Sequence, residues 1–505
     1  MTGGAETETD TFGRLGAVPL DDGTNEVRVW APGARSVAVL AADELTRLER
    51  DGECLHGVFV GDEYLLVVDG ETLPDPCSRE QPHGVRGLSR VVDPGAFRWT
   101  DAGWEPPSLD ELAIYELHVG TFTEEGTFDA AIPRLAGLRE LGVTAIELMP
   151  VATFPGRRGW GYDGIYTYAP HVSYGGPAGL ARLVDAAHAA GLGVLLDVVY
   201  NHVGPGDAAL RAFGPYFTDR HETFWGDALD YERRGVREWA LQNAEQWIRD
   251  FHVDGLRLDA VHAIFDDSPL HICAELKRRV GGALVISEME LGDWRPIEEW
   301  GHDAQWADAS HHELHVLLTG EREGYYAGHG SVAALADELR GAGRDPRRLV
   351  VCAQNHDQVG NRALGDRLPP DALRVAAAVT LFSLCTPLLF MGEEYFETRP
   401  FRFFTDHVDP EIAEATRRGR RREFAAFAAF AGEDVPDPEA LETFLASKLD
   451  PREPDPLYRE LLELRRELPR ELEADVDGEA SVLVLRRGSV RLRADFANRT
   501  VELSR

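Results

Sequence analysis

Residues 236–261 read VREWALQNAEQWIRDFHVDGLRLDAV, and the change of character inside this stretch decides the fold. Residues 236–251 are amphipathic, as a surface helix is. Residues 255–261 form a short apolar run interrupted by Arg257 and Asp259. Two positions apart in a strand, these side chains point to the same side. A helical segment feeding a short strand is half of a β/α unit, and the chain repeats it. Apolar runs fall at 113–119, 145–150, 194–200, 255–261, 284–290, 305–308, 349–355 and 387–394, with amphipathic segments at 128–141, 178–190 and 269–280. Eight units over about 300 residues fit an α/β fold, a closed (β/α)8 TIM barrel. An open, doubly wound sheet is the structural alternative, but no glycine-rich phosphate loop follows the first run.

The flanks have a different grammar. Residues 1–11 read as a flexible tail. Residues 12–100 alternate short strands with turn residues, the pattern of an N-terminal β-sandwich. Residues 101–440 carry the barrel. Residues 441–505 close the chain with a helical segment and a small C-terminal β-sheet, where alternation returns at 481–504.

Composition excludes several classes. The 505 residues are 44% hydrophobic, enough for a large core, and carry a formal charge of -35. Lys277 and Lys448 are the only lysines, so arginine carries nearly all the positive charge. Such a surface repels nucleic acid and anionic membranes but is indifferent to a neutral sugar. It also fits a high-salt cytoplasm, where screening removes self-repulsion; high-GC codon usage in a moderately acidic mesophile explains arginine over lysine equally well. Cys54, Cys77, Cys273, Cys352 and Cys385 are odd in number and lack C-x-x-C spacing, so free buried thiols are expected. The acidic start MTGGAETETD lacks the order of a secretory leader, and no run is long enough to span a membrane. The expectation is a cytoplasmic protein. His311 and His312 sit in no convincing ligand pattern, so neither metal nor cofactor is expected.

Polar residues gather at the C-terminal ends of the proposed strands, the face on which barrels build active sites. Asp197, Asn201 and His202 close the third run, Arg257 and Asp259 the fourth, Glu288 the fifth, and His356 and Asp357 follow the seventh. A lone carboxylate at a strand end is more often a cap or an ion-pair partner. Several such clusters on one face have no structural explanation, because a barrel core needs branched apolar side chains. The set suits acetal cleavage. Two carboxyl groups about 5–5.5 Å apart support double displacement with retention. Arg257 would keep Asp259 ionised as a nucleophile, and a poorly solvated Glu288 would serve as the acid.

The segments DVVYNH (197–202), GLRLDAV (255–261), ISE (286–288) and NHDQ (355–358) resemble the four signature regions of the α-amylase family, glycoside hydrolase family 13. The resemblance places that family's triad on Asp259 (nucleophile), Glu288 (proton donor and general acid/base) and Asp357 (transition-state stabiliser). It places sugar-binding partners on Asp197, His202, Arg257 and His356. Further segments, YELHVGTFTEEGTF (115–128), ELMPVATFPGRRGWGYDG (147–164), QNHDQVGNRALGDRL (354–368), MGEEY (391–395) and SKLD (447–450), are similar to the maltooligosyltrehalose trehalohydrolase branch. That resemblance implies a retaining enzyme acting on the α-1,4 bond beside the terminal trehalose of maltooligosyltrehalose, working after a maltooligosyltrehalose synthase. It makes the N-terminal domain carbohydrate-binding-module-like and Tyr162 the aromatic platform, with Trp160 and His118 also at the substrate. The chain departs from the branch after Glu288 (Met-Glu-Leu-Gly-Asp), at 308–312 (Asp-Ala-Ser-His-His) and at Phe396, where glycine is usual. A glucan branching enzyme shares the sandwich-plus-barrel plan and is the alternative; a non-catalytic glucan-binding protein would not need all three carboxylates.

The charge gives the first prediction. Raising potassium chloride from low to molar concentration increases the melting temperature, because unscreened carboxylates repel in the compact state. A flat response in differential scanning calorimetry removes the high-salt reading.

Overall fold

The computed structural model describes residues 12–206, 208–223, 225–425 and 435–505; the expected tail over 1–11 lies outside them. The eight expected runs become eight parallel strands in one closed barrel: β1 Ile114–Leu117, β2 Ala145–Leu148, β3 Gly193–Val198, β4 Gly255–Leu258, β5 Leu284–Ser287, β6 Ala304–Trp306, β7 Leu349–Cys352 and β8 Thr386–Phe390. Neighbours pair in sequence order and β8 closes on β1.

Most of these strands are shorter than the apolar runs. The ladder stops where the chain turns toward the open face, so Asn201, His202, Asp259, Glu288 and His356 stand just past the strand ends. Two backbone bonds still hold that rim in register, Asp259 N–H to the Val198 carbonyl at 3.1 Å and Glu288 N–H to the Leu258 carbonyl at 3.0 Å.

Alternation sorts the interior. Ile114, Ala145, Leu195, Ile286, Ala304, Val350 and Leu388 pack in one apolar cluster inside the barrel. Two residues on from Ile114, Ala145 and Leu195 come Glu116, Glu147 and Asp197, all buried. An apolar layer thus underlies a polar one. The long helix Arg234–Asp250 covers the outside between β3 and β4, burying Val236, Trp239, Ala240, Ala244 and Trp247. The segment 128–141, expected as one helix, breaks into Phe128–Ala131, a 3-10 turn at Ile132–Arg134 and Leu135–Leu141, because Pro133 has no N–H to give.

The N-terminal domain is two antiparallel sheets. One runs Gly16–Pro19, Asn25–Trp30, Cys54–Phe59, Glu49–Asp51; the other contains Glu44–Arg47, Val37–Ala41, Glu63–Val68 and Glu71–Leu73. Trp30 joins this domain to the barrel, lying edge-on to Tyr216 at 4.9 Å. A Cβ at Gly235 would come within 2.0 Å of its ring, so the helix can begin there only with glycine. The C-terminal sheet has four antiparallel strands, Glu473–Asp477, Val482–Arg487, Val490–Asp495 and Thr500–Ser504. All five cysteines are unpaired and buried.

The segment SKLD is a clamp. Lys448 Nζ donates to the carbonyls of Gly120, Thr123 and Glu124 at 3.1, 3.1 and 2.7 Å, tying the C-terminal segment to the loop after β1. Lys448→Met strands three carbonyls at a buried site, each unsatisfied group costing about 1–3 kcal/mol. The variant is expected to lose several degrees in melting temperature, and Lys448→Arg to restore little, since a planar fork does not fit a cage built around a point charge. Thermal unfolding of the three proteins checks this.

Candidate active site

Arg257 sits at the centre of the barrel mouth, fully buried. Its Nη1 donates to Asp197 Oδ2 at 2.7 Å and Asp259 Oδ1 at 2.9 Å, and its Nη2 to Glu288 Oε2 at 2.8 Å. The Trp306 ring of β6 lies 4.2 Å from the guanidinium carbon and closes it from the other side. One cation therefore holds three carboxylates from three neighbouring strand ends. Asn201 adds to the hold on Asp259, donating to Oδ2 at 2.7 Å and to the carbonyl at 2.8 Å. Glu288, expected to be poorly solvated, keeps only 19% of its side chain exposed. Its Oε2 also accepts from Ala260 N–H at 2.9 Å, and Ala260 takes a left-handed φ of 40° to present that N–H.

A second cluster joins this one through Tyr162. Its hydroxyl lies 2.6 Å from Asp197 Oδ2 and 2.7 Å from His356 Nε2, with its ring stacked on His356 at 5.1 Å. His356 Nδ1 is 2.5 Å from Glu116 Oε1, and its backbone N–H donates to Glu116 Oε2 at 2.9 Å. Burial opposes charge on His356, but Asp357 and Glu116 outweigh it and raise its pKa to about 10. Burial pushes Asp197 up to about 7, partly offset by Arg257 and reinforced by Asp259. Burial raises Asp357 against the pull of His356. Glu147 is raised too, by burial and then by Glu116 and Asp197, and neither of its oxygens has a hydrogen-bond partner.

The other expected residues are placed differently. His202 touches Asn201 and the Tyr162 carbonyl, and its ring stacks on Trp225 at 4.2 Å. Trp160 is buried; its Nε1 donates to the Arg402 carbonyl and its ring stacks on Phe401 at 5.1 Å. A Cβ at Gly360 would lie 2.1 Å from that ring, so glycine in the His356–Gly360 helix lets Trp160 into place. His118 spends both ring nitrogens inside the fold, on Thr121 Oγ1, the Gly159 carbonyl and Tyr174. Burial takes its pKa down to about 4. Both Trp160 and His118 thus buttress the site from within.

A cleft of about 740 Å³ opens beside the cluster, lined among others by Glu288, Asp308, His312, Tyr325, Asp357 and Arg362. The 308–312 segment that departs from the resembled pattern does line it. Burial, with Glu288 and Asp357 close by, raises Asp308 to about 7. Sequence reasoning marked Asp308 only as part of the departing segment 308–312, and it passed over Glu116, Glu147, Trp306 and the exposed Trp225. Counting by twos along β1 and β2 would have found the two glutamates. Among the described residues no group of three or more His, Cys, Asp or Glu is placed to hold a metal ion.

Fold and site together define an α-amylase-type glycoside hydrolase barrel, and the alpha-amylase catalytic-domain family model matches residues 94–213. The chain is 45% identical to the malto-oligosyltrehalose trehalohydrolase of Deinococcus radiodurans, covering 92% of this chain and 85% of that protein. It is 42% identical to the protein of that name from Saccharolobus solfataricus, over 89% of this chain and 86% of that protein. A crystal structure described as an alpha amylase from Salmonella typhimurium superposes with a TM-score of 0.86 at 36% identity, over 95% of this chain and 93% of that one. The chain belongs to the malto-oligosyltrehalose trehalohydrolase family.

The Arg257 fork gives a test of the cluster. Lysine keeps the charge but cannot reach three carboxylates in a plane. Breaking a buried pair costs about 3–5 kcal/mol, so Arg257→Lys is expected to lower the melting temperature and cut turnover at least about 100-fold. Calorimetry and steady-state kinetics check both.

Proposed function

We propose that the protein is a retaining glycoside hydrolase that cleaves the α-1,4-glucosidic bond next to the terminal trehalose of maltooligosyltrehalose and releases trehalose. One observation carries the reaction type: Asp259 and Glu288 sit on the two terminal nitrogens of a single buried guanidinium, at 2.9 and 2.8 Å. Carboxylates spread on one such fork are close neighbours, as double displacement requires; inverting pairs stand about 6.5–9.5 Å apart to admit a water. Family membership supports the substrate.

In this reading Asp259, held by Arg257 and Asn201, attacks the anomeric carbon. Glu288 protonates the departing oxygen and then takes the proton of the water that releases the glycosyl-enzyme. Asp357, on the opposite rim, faces the positive charge that grows on the ring. Tyr162, stacked on His356, offers its ring to the sugar, and Asp197, Arg257, His202 and His356 shape the pocket around it. The cleft lined by Glu288, Asp308 and Tyr325 receives the leaving trehalose unit, because Glu288 is the residue that serves the leaving oxygen. A maltooligosyltrehalose synthase supplying the substrate, and a cytoplasmic setting, belong to the same reading.

Product analysis tests it. Maltooligosyltrehalose is expected to exceed a maltooligosaccharide of equal length by at least about tenfold in kcat/KM, roughly 1.4 kcal/mol in the transition state. NMR of the first-formed reducing sugar should show the α-anomer, and Asp259→Asn should lose turnover by several orders of magnitude while still binding glucan. Equal efficiency on both substrates would make the protein a general α-glucanase, new α-1,6 linkages a branching enzyme, and a β-anomer would overturn the retaining pair.

A further inference from the structure

The proton count around Tyr162 does not close with a neutral His356. The Tyr162 hydroxyl has one proton and two short contacts, Asp197 Oδ2 at 2.6 Å and His356 Nε2 at 2.7 Å. Both are hydrogen bonds only if one partner donates. Asp197 Oδ2 already accepts from Arg257 Nη1 at 2.7 Å, which leaves His356 Nε2–H as the donor. On the other side of the ring, Nδ1 faces the Glu116 carboxylate at 2.5 Å, closer than an ordinary N–H···O bond, and two such atoms can meet there only with a proton between them. Both ring nitrogens therefore carry hydrogen.

We infer that Glu116 is a positioning residue of the active site: by accepting from both the ring Nδ1–H and the backbone N–H of His356, it holds that imidazole doubly protonated, so that a hydrogen-bonded chain runs from Glu116 through His356 and Tyr162 to Asp197. Glu116 touches no part of the cleft. It is buried on β1 and acts through the ring that backs Tyr162. The other groups facing His356 do not replace it. Asp357, 3.5 Å from Nε2 and partly exposed, also favours the cation, but it makes no bond to Nδ1 or to the backbone N–H and so cannot hold the ring in place. Asp197 is already engaged by Arg257 and Tyr162, and burial raises Asp308 and Glu147. Arg257 and His118 oppose a further cation or lack charge, and the Trp160 and Trp306 rings, each 5.8 Å from the imidazole, only exclude water.

The chain has a functional consequence. With His356 cationic, the Tyr162 hydroxyl must turn its proton to Asp197, which fixes the ring against which the sugar stacks. With His356 neutral, its Nε2 becomes an acceptor. Two acceptors then compete for one proton, and one of the contacts at 2.6 and 2.7 Å becomes repulsive. A site built on this chain keeps its geometry across the neutral range and into mild alkali.

The experiment compares the pH dependence of kcat/KM in the wild type, Glu116→Gln and Glu116→Asp. A glutamine keeps the shape and removes the counter-charge, so His356 should lose its proton near the ordinary imidazole range, about pH 6.5–7. The expected result is a new alkaline limb: at pH 8 Glu116→Gln falls at least about tenfold further below the wild type than it does at pH 6, while Glu116→Asp, which retains the charge, shows no such limb. A purely structural role would lower the rate by one factor at every pH. That outcome, or the same limb in Glu116→Asp, overturns the inference. A measurement on the wild type alone guards against a variant that does not fold. In protein labelled with 15N-histidine, the His356 resonances, assigned by their loss in His356→Gln, should report an imidazolium at pH 8; a neutral ring at pH 7 overturns the inference. The kinetic arm rests on the hydrolase reading above, but the two fail separately. A wild type that releases no trehalose defeats that reading and leaves the NMR titration to decide on Glu116.

Discussion

A single buried cation organises the barrel mouth. Arg257 is inaccessible to solvent, yet it sits among Asp197, Asp259 and Glu288 with all three in hydrogen-bond contact. Taking an ion from water is costly, and such a group is tolerated inside only with close, well-oriented partners. The requirement works in both directions. The strands must keep a register that places Asp197 directly opposite Arg257, and the rim after β5 must bring Glu288 down to meet it. Any slip by one residue would turn these side chains out of the barrel and leave apolar ones in their place. The chemistry and the register of this half of the barrel are thus specified by the same contacts.

Much of this was legible in the sequence, and the reasons differ from element to element. The eight strands could be read because buried parallel strands are short apolar runs between helical segments. Asp197, Arg257, Asp259 and Glu288 stood out because charged residues have no business in such runs. Glu116 and Glu147 carry the same anomaly, in YELHVG and IELMP, but each is a lone carboxylate in its run and so passes for an ordinary strand-end residue. Only the fold shows that Glu116 pairs with Glu147 across β1 and β2, and that Asp197 comes near enough to act on the same buried carboxyl. His118 and Trp160 pose the opposite problem. They lie inside motifs rich in functional residues, but nothing in a motif says whether a side chain faces the substrate or supports the residue that does.

The departures from the resembled pattern also acquire a physical meaning. Phe396 stands at a φ of 54°, in the left-handed region that glycine enters freely and a bulky residue enters at a cost. Its ring makes a tilted contact with Tyr458 at 5.9 Å, and this packing helps to offset the strain of the turn. The 308–312 segment starts the helix Asp308–Thr319 and places Asp308 and His312 on the cleft wall. The substitutions there leave the Arg257 cluster untouched and fall where the leaving sugar would bind, so they bear on selectivity more than on bond cleavage.

The charge balance of the mouth suggests how it favours a cationic transition state. Asp259, Glu288, Asp357, Asp197, Asp308, Glu116 and Glu147 share one region with two cations, Arg257 and His356. Several of the carboxyl groups are shifted toward the neutral form: Asp197 and Asp308 move up to about 7, and Asp357 and Glu147 are raised as well. Burial is the largest cause of each shift, and neighbouring carboxylates add to it. Where those neighbours stay ionised, their field favours a positive charge between them. In the proposed reaction a neutral glucan would gain little from such a field in its ground state, whereas an oxocarbenium-like ring, developing charge between Asp259 and Asp357, would gain from each carboxylate that stays ionised. Because the groups are already fixed by Arg257, Asn201 and His356, no reorganisation is needed when the charge appears, and the repulsion among the carboxylates becomes preferential stabilisation of the transition state.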